Sequence, residues 1–112
     1  MNDDPVNQTI LRLADTTGYK GPSQPERKIR GIQLTDQQYD DYSMLAGEMA
    51  KMRLDQIVGM RGFSQIPPEK QAEIIKNTVE KSRETARSII MMRNPEILRQ
   101  ATQMKLNALK GK

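Results

Sequence analysis

Apolar side chains recur at three- and four-residue steps in the middle of the chain, which is the spacing of one face of an α-helix. The positions are Tyr42, Leu45, Met49 and Met52. Just before them, Thr35 and Gln38 have the spacing of a capping box, in which each side chain accepts a hydrogen bond from the other residue's backbone. Leu34 and Tyr39 occupy the flanking positions of a hydrophobic staple. This pattern predicts an amphipathic helix over residues 36–58.

Gly47 falls inside that helix, on its apolar side. A glycine in a helix interior costs up to about 1 kcal/mol relative to alanine, so its presence needs a reason. We therefore expect another segment of backbone to approach the helix closely at Gly47.

Prolines mark the starts of the other helices, because proline is tolerated in the first turn, where its missing N–H has no helical partner. The predicted segments are 1–17, 67–93 and 95–110. Asp3 or Asp4 is the expected cap of the first, and Asn94 is the expected cap of the last. The apolar face of the 67–93 helix should pack on the stripe of the 36–58 helix. Its positions are Ile75, Val79, Ala86 and Ile90.

Glycine and proline exclude a helix between residues 18 and 34, where the chain should be extended. Ile29, Ile32 and Leu34 are the apolar anchors of this segment. We interpret it as an arm that lies on a neighbouring subunit. The partial alternation of polar and apolar residues leaves a second interpretation open, an edge strand added to a partner's sheet.

The expected fold class is all-α, an elongated helical hairpin or bundle with a short N-terminal helix and an extended Pro/Gly-rich arm. It divides into segments 1–17, 18–34 and 35–112. We expect Phe63, beside Ile66, to act as an apolar plug, a side chain that fills and closes the turn between two helices. With 112 residues and 36% hydrophobic content, the helices either form a thin core or complete their core against a partner.

The residue types that usually carry out chemistry are scarce, since the chain has no His, Cys or Trp. A Ser–Lys nucleophile would need an organised base, and the side chains of the adjacent Lys81 and Ser82 diverge on a helix. The carboxylate pairs lack the alternating pattern of a calcium loop. We expect no enzyme activity, no cofactor, no metal and no small-molecule substrate.

The C-terminal third is basic, with eight Lys or Arg and two acids from Lys81 onward, whereas the whole chain has a net charge of +4. A solvated helix face explains this composition, and so does nonspecific contact with nucleic-acid phosphates. The candidates for phosphate contact are Arg83, Arg87, Arg93, Arg99 and Lys105. No aromatic residue accompanies them, so base stacking is not expected.

Short motifs between residues 4 and 93 carry a resemblance to a known family. They include Ile29-Arg30-Gly31-Ile32-Gln33-Leu34-Thr35, Leu45-Ala46-Gly47, Pro67-Pro68-Glu69-Lys70 and Ser82-Arg83-Glu84-Thr85-Ala86-Arg87. With the N-terminal Asp-Pro-Val, these motifs resemble the C-terminal region of large virion-associated proteins of tailed bacteriophages and prophages, including internal, ejected and polyvalent proteins. Those proteins are much longer than this chain. The resemblance implies a structural role in the capsid, portal or tail, and no catalytic residue.

Together with the resemblance, these features predict a non-enzymatic assembly module that docks on other virion proteins, as a homo-oligomer or as part of a larger assembly. The alternative is a nonspecific nucleic-acid-binding or genome-packaging and ejection accessory that uses the basic C-terminal helices. The polar N-terminus and the lack of an apolar run of about 20 residues predict synthesis in the cytoplasm and no membrane span. The resemblance implies that this is the cytoplasm of a host bacterium and that the final place of the protein is the virion. The expected protein-interface residues are Ile29, Ile32, Leu34, Tyr39, Tyr42, Leu45, Met49, Met52 and Phe63.

Overall fold

The computed structural model describes residues 4–111, and this part of the chain is mainly helical, as the sequence predicts. The helices are α1 (Pro5–Thr17), α2 (Asp36–Val58), α3 (Pro68–Arg93) and α4 (Pro95–Lys110), and the strands are β1 (Lys28–Ile29) and β2 (Ile32–Gln33). A short 3₁₀ turn, Phe63–Gln65, lies between α2 and α3. The helices predicted at 36–58 and 95–110 have the observed bounds, and α3 begins one residue after the predicted 67.

Local side-chain chemistry explains where the first two helices begin. Asp4 Oδ1 accepts a hydrogen bond from the Val6 N–H at 2.9 Å and so caps α1; the alternative cap, Asp3, lies outside the described residues. Both bonds of the Thr35–Gln38 capping box are present, at 3.1 and 3.0 Å. These bonds satisfy backbone donors that a helix N-terminus would otherwise leave unpaired.

The long helices α2 and α3 pack against each other and run antiparallel. Tyr42 near the start of α2 bonds to Arg87 near the end of α3, while Arg53 near the end of α2 bonds to Ser82, earlier in α3. The molecule is elongated, with principal extents of 53 × 29 × 22 Å. Each end of the helix pair has a core of its own.

The first core, here called the arm-side core, joins the arm and α4 to the α2–α3 pair. Its buried residues are Ile29, Ile32, Leu34, Tyr42, Ala46, Ala86, Ile90 and Ile97. The second, the turn-side core, joins α1 and the α2–α3 connection to the same pair. Its buried residues are Val6, Leu13, Leu54, Phe63, Ala72, Ile75 and Val79. Phe63 is thus buried where the chain turns between α2 and α3, as its plug role requires.

The buried polar side chain of Gln71 in α3 links α1 to the connection between α2 and α3. Its Oε1 accepts a bond from Arg12 Nη2 of α1 at 2.8 Å. Its Nε2 donates to the Ile66 carbonyl oxygen at 2.6 Å. Gln71 is almost completely buried, so these bonds offset the cost of removing its amide from water.

The arm packs on its own chain, and this corrects the expectation that it lies on a neighbouring subunit. Strands β1 and β2 pair antiparallel, with Ile29 opposite Ile32. Between them Arg30 has φ 51° and Gly31 has φ 80°, the backbone of a tight two-residue hairpin turn. Ile29 is only 1% exposed because it inserts into the arm-side core. The second interpretation, an edge strand in a partner's sheet, is corrected too, because the two short strands pair with each other.

Two local predictions were wrong. Gly47 is exposed, and a Cβ built on it would meet nothing within 4 Å, so no backbone of residues 4–111 outside α2 approaches the helix there. Asn94 makes no capping bond to α4; instead its Nδ2 donates to the Ile90 carbonyl oxygen at 2.8 Å and so ends α3. Its Oδ1 accepts from Gln38 Nε2 at 3.3 Å, a partner on another helix that competes with capping.

Candidate binding surfaces

Most of the predicted protein-interface residues lie inside the protein. Ile29, Ile32, Leu34, Tyr42 and Phe63 are buried in the chain's own two cores. Tyr39, Leu45 and Met49 are partly buried against the arm-side core. Only Met52 of this set is largely exposed, at 64%. The helical periodicity correctly predicted that most of these side chains are covered, but the residues that cover them belong to the same chain.

The predicted nucleic-acid residues fall into two groups. Arg83 and Arg87 are half-buried on the side of α3 that faces the arm, and both line one pocket. Arg93, Arg99 and Lys105 are exposed and lie outside that pocket. The basic C-terminal third therefore divides between a structured pocket and an open helix surface.

The first pocket, here called the arm–α3 pocket, lies between the Pro/Gly-rich arm and α3, with a volume of about 460 Å³. Its lining is Ser23, Gln24, Glu26, Lys28, Arg30, Tyr42, Glu80, Arg83 and Arg87. Four of these side chains are cationic and two are acidic. The sequence alone did not single out Lys28 and Arg30 for this site, although their alternation with Ile29 places them on the opposite side of the hairpin from the core.

Hydrogen bonds hold the two α3 arginines of this pocket in place. Arg87 Nη1 donates to the Tyr42 hydroxyl and Nη2 to Glu80 Oε1, each at 3.1 Å. Arg83 Nη2 donates to the carbonyl oxygen of Ser23 in the arm. Burial would lower the pKa of Arg87, but the bonds to Glu80 and Tyr42 outweigh it and raise that pKa above its ordinary value. Arg87 therefore stays charged.

The second surface is the end of α4. Helix α4 enters the arm-side core at Ile97, but residues 102–110 are all exposed. Its apolar residues therefore continue beyond the core into solvent. The exposed large ones are Leu98, Met104, Leu106 and Leu109. A groove of about 420 Å³ runs between this helix and Arg30 at the hairpin tip.

The charges of α4 have one sign over the same stretch. After Glu96 in its first turn, the helix carries Arg99, Lys105 and Lys110 and no acid. The exposed end of α4 is therefore an apolar and basic surface, here called the α4 surface.

The outward face of α2 has the opposite character, and is here called the α2 surface. It exposes the acids Asp40, Asp41, Glu48 and Asp55 together with Met44 and Met52. Lys51 is the base among them, and it bonds to Asp55 at 2.7 Å and to Asp4 at 2.9 Å. Because Lys51 is engaged by two carboxylates, the remaining acids give this face a net negative charge.

A third, polar groove separates α2 from α3. It has a volume of about 610 Å³ and is lined by Arg53, Lys81, Glu84 and neighbouring polar side chains. The buried Ser82 hydroxyl donates to the carbonyl oxygen of Thr78 and accepts from Nη1 of Arg53, two residues that line this groove. These bonds explain a serine on the apolar face of α3. Since the Ser82 proton is held by a backbone carbonyl, the hydroxyl has a structural use and no base is positioned to activate it.

Residues 4–111 contain neither a cluster of metal ligands nor a membrane-spanning helix. This part of the chain has no group of three or more carboxylates arranged to hold a metal ion. No helix in it is long and apolar enough to cross a membrane.

No protein-family model matches the sequence, and no curated protein or solved structure matches it at a significant level.

Proposed function

We propose that this chain is a non-enzymatic assembly module of a phage particle, and that it docks through the α4 surface. The observation that carries the docking is a set of exposed leucines, Leu98, Leu106 and Leu109, which share the side of α4 that is turned away from the core residue Ile97. A lone exposed leucine is ordinary, but a stripe of them on one helix end is typical of an interaction site. The sequence resemblance described above supplies the particle setting.

The occupant that best fits the α4 surface is the α2 surface of a second copy. One is apolar and basic, with Lys105 and Lys110; the other is acidic, with two exposed methionines. Methionine side chains are flexible and adapt to irregular apolar partners. Charges of opposite sign steer the two surfaces together and disfavour pairing of like surfaces.

Both surfaces are present on every copy, so the contact has two outcomes. Two copies can exchange their α4 helices in a closed dimer, or each can dock on the next in a ring or filament. The elongated helical hairpin, 53 Å in its longest extent, suits either arrangement as a building block.

Light scattering on the purified chain tests the apolar part of this contact. The double variant Leu106→Gln and Leu109→Gln should shift the protein from oligomer to monomer while its circular dichroism stays helical, because both side chains lie outside the cores. Leu11→Gln is the matched control, since Leu11 is 60% exposed on α1, away from α4. A wild-type monomer at all concentrations, or equal dissociation of both variants, would contradict self-assembly through α4.

Charge reversal tests the proposed partner surface. Lys105→Glu in one sample and Glu48→Lys in another should each weaken self-association. Mixing the two proteins should restore it, because the altered charges again have opposite signs across one of the contacts. If mixing gives no recovery while the leucine variant still dissociates, the α4 surface docks on something other than the α2 surface.

The particle setting needs its own measurement. Antibodies against this chain should detect it in phage particles purified from the producing bacterium by density-gradient sedimentation. A signal confined to the soluble host fraction, with particles present and negative, would refute the virion assignment without affecting the self-association result.

The alternative function, a nonspecific nucleic-acid accessory, is favoured by the exposed cations Arg93, Arg99 and Lys105. Replacing all three by Gln should reduce binding to duplex DNA and flatten its salt dependence, because phosphate contacts release counterions. The same variant should keep most of an apolar self-contact. Loss of DNA binding with intact oligomers would assign the basic end to nucleic acid.

A further inference from the structure

The arm–α3 pocket has the chemistry of an anion site. Four cationic side chains converge on it, two from the arm and two from α3, although they lie more than fifty residues apart in sequence. Its lining is almost entirely polar, with a hydroxyl from Tyr42 and side chains from Ser23 and Gln24. An apolar ligand would lose its contacts there, whereas an oxyanion would gain donors.

The α3 arginines are organised before any ligand binds. Arg87 is fixed by Tyr42 and Glu80, and Arg83 is fixed by the arm carbonyl of Ser23. A guanidinium has five N–H donors, so these bonds leave others unused on each arginine. Since the side chains are already held, less conformational freedom is lost when an anion binds.

The arm cations complete the pocket from the other side. Lys28 and Arg30 flank the buried Ile29, so the hairpin turns them away from the core. Within residues 4–111, neither forms an ion pair. Arg30 occupies the turn itself with φ 51°, and this backbone conformation sets the direction in which its Cα–Cβ bond leaves the hairpin.

The charge balance identifies the chemical class of the ligand. Of the two acids in the pocket, Glu80 already accepts a bond from Arg87, and Glu26 is the other. The four cations exceed these two acids by two charges, and a phosphate group carries about −1.5 to −2 at neutral pH. The volume of about 460 Å³ admits more than one phosphate group.

We propose that the arm–α3 pocket binds phosphate oxyanions through Lys28, Arg30, Arg83 and Arg87. Its ligand is a compound with adjacent phosphate groups, either a small polyphosphate or the backbone of a nucleic acid. Tyr42 lines the pocket but is only 1% exposed and is bonded to Arg87 through its hydroxyl, so its ring face is not open to base stacking and recognition is of phosphate alone. Arg30 also borders the groove beside α4, but the other three cations do not line that groove, and the site does not depend on the proposed assembly role.

Isothermal titration calorimetry with pyrophosphate, and with a short DNA duplex, tests the site. The double variant Lys28→Gln and Arg30→Gln removes two exposed cations outside the cores, so it should fold normally. It should weaken binding by about tenfold or more, since each lost bond is charge-assisted. The matched control, Arg61→Gln with Lys81→Gln, removes the same charge from exposed positions outside the pocket and should change the affinity for either probe less than about twofold.

Each outcome has one meaning. Pocket-dependent binding of pyrophosphate without the duplex supports the site and assigns it a small polyphosphate. Pocket-dependent binding of the duplex supports the site and assigns it a nucleic-acid backbone. Equal loss in both double variants would indicate a diffuse basic field and overturn the proposal, and so would binding that ignores Lys28 and Arg30 or no binding of either probe.

Discussion

The replacement of Ile29 by alanine separates an arm that belongs to the chain's own core from one that waits for a neighbour. Ile29 is 1% exposed and lies in the arm-side core. The change removes the three side-chain carbons beyond Cβ, worth about 0.8 kcal/mol each when buried, or about 2.4 kcal/mol. A residual cavity adds to this, although a short hairpin can settle inward and limit the addition. We expect the free energy of unfolding to fall by about 2.5–3.5 kcal/mol.

Urea unfolding followed by circular dichroism measures this loss on dilute protein, where self-association is weak. Lys28→Ala is the matched control, because Lys28 lies beside Ile29 on the opposite, exposed side of the hairpin. It should change the free energy of unfolding by less than about 0.5 kcal/mol.

If the arm of the Ile29→Ala variant detaches without global unfolding, hydrogen exchange of its backbone amides will detect the change. Protection should then be lost at Ile29 and Leu34 and kept in α2. If Ile29→Ala costs under about 1 kcal/mol and arm exchange is already fast in the wild type, the arm is not docked in the free chain and our assignment of the core is refuted.

Three further predictions concern single positions. Gly47→Ala should raise the free energy of unfolding by about 0.5–1 kcal/mol in urea titrations, because Gly47 is exposed inside α2; the control Gly31→Ala should lower it, since φ there is 80°. Gln71→Ala should cost about 2–3 kcal/mol and loosen α1 in hydrogen exchange, because it removes the two hydrogen bonds of a buried amide and leaves a cavity in its place; a cost near zero would show that Gln71 does not link α1 to the turn-side core. A hydrogen bond from Lys51 lowers the pKa of Asp4, so α1 should gain stability from Asp4 above the unfolded-state pKa and lose it as pH falls through the lower folded-state pKa. An acid titration by circular dichroism should show this step, and Asp4→Asn should remove it.

The bounds of the helices could be predicted because they depend on neighbouring residues. The bonds that start α2 join Thr35 and Gln38, three residues apart, and the glycine that ends α1 has a φ of 81° that other residues avoid. Such interactions repeat wherever the same local sequence occurs. The sequence therefore carries them without knowledge of the fold.

Choices among distant partners could not be read in the same way. Asn94 has the chemistry of a helix cap, yet its side chain bonds to Ile90 and to Gln38, and the second of these lies 56 positions away. The apolar anchors of the arm look the same in sequence whether their receptor is a second subunit or the chain's own α2, α3 and α4. Periodicity identifies a side chain that will be covered, but it does not identify what covers it.

The arm also shows why the sequence alone did not predict the proposed phosphate site. It shows as well why this site is linked to the fold. Successive residues of the hairpin point to its opposite sides. Ile29 fills the core, while Lys28 and Arg30 face the arginines of α3. Cations on the arm and on α3 repel each other when the pocket is empty, and this repulsion opposes the docking that Ile29 favours. A bound phosphate would remove the repulsion and stabilise the docked arm by its binding free energy. Core packing and anion binding therefore act on the same equilibrium, and a change in either is felt by the other.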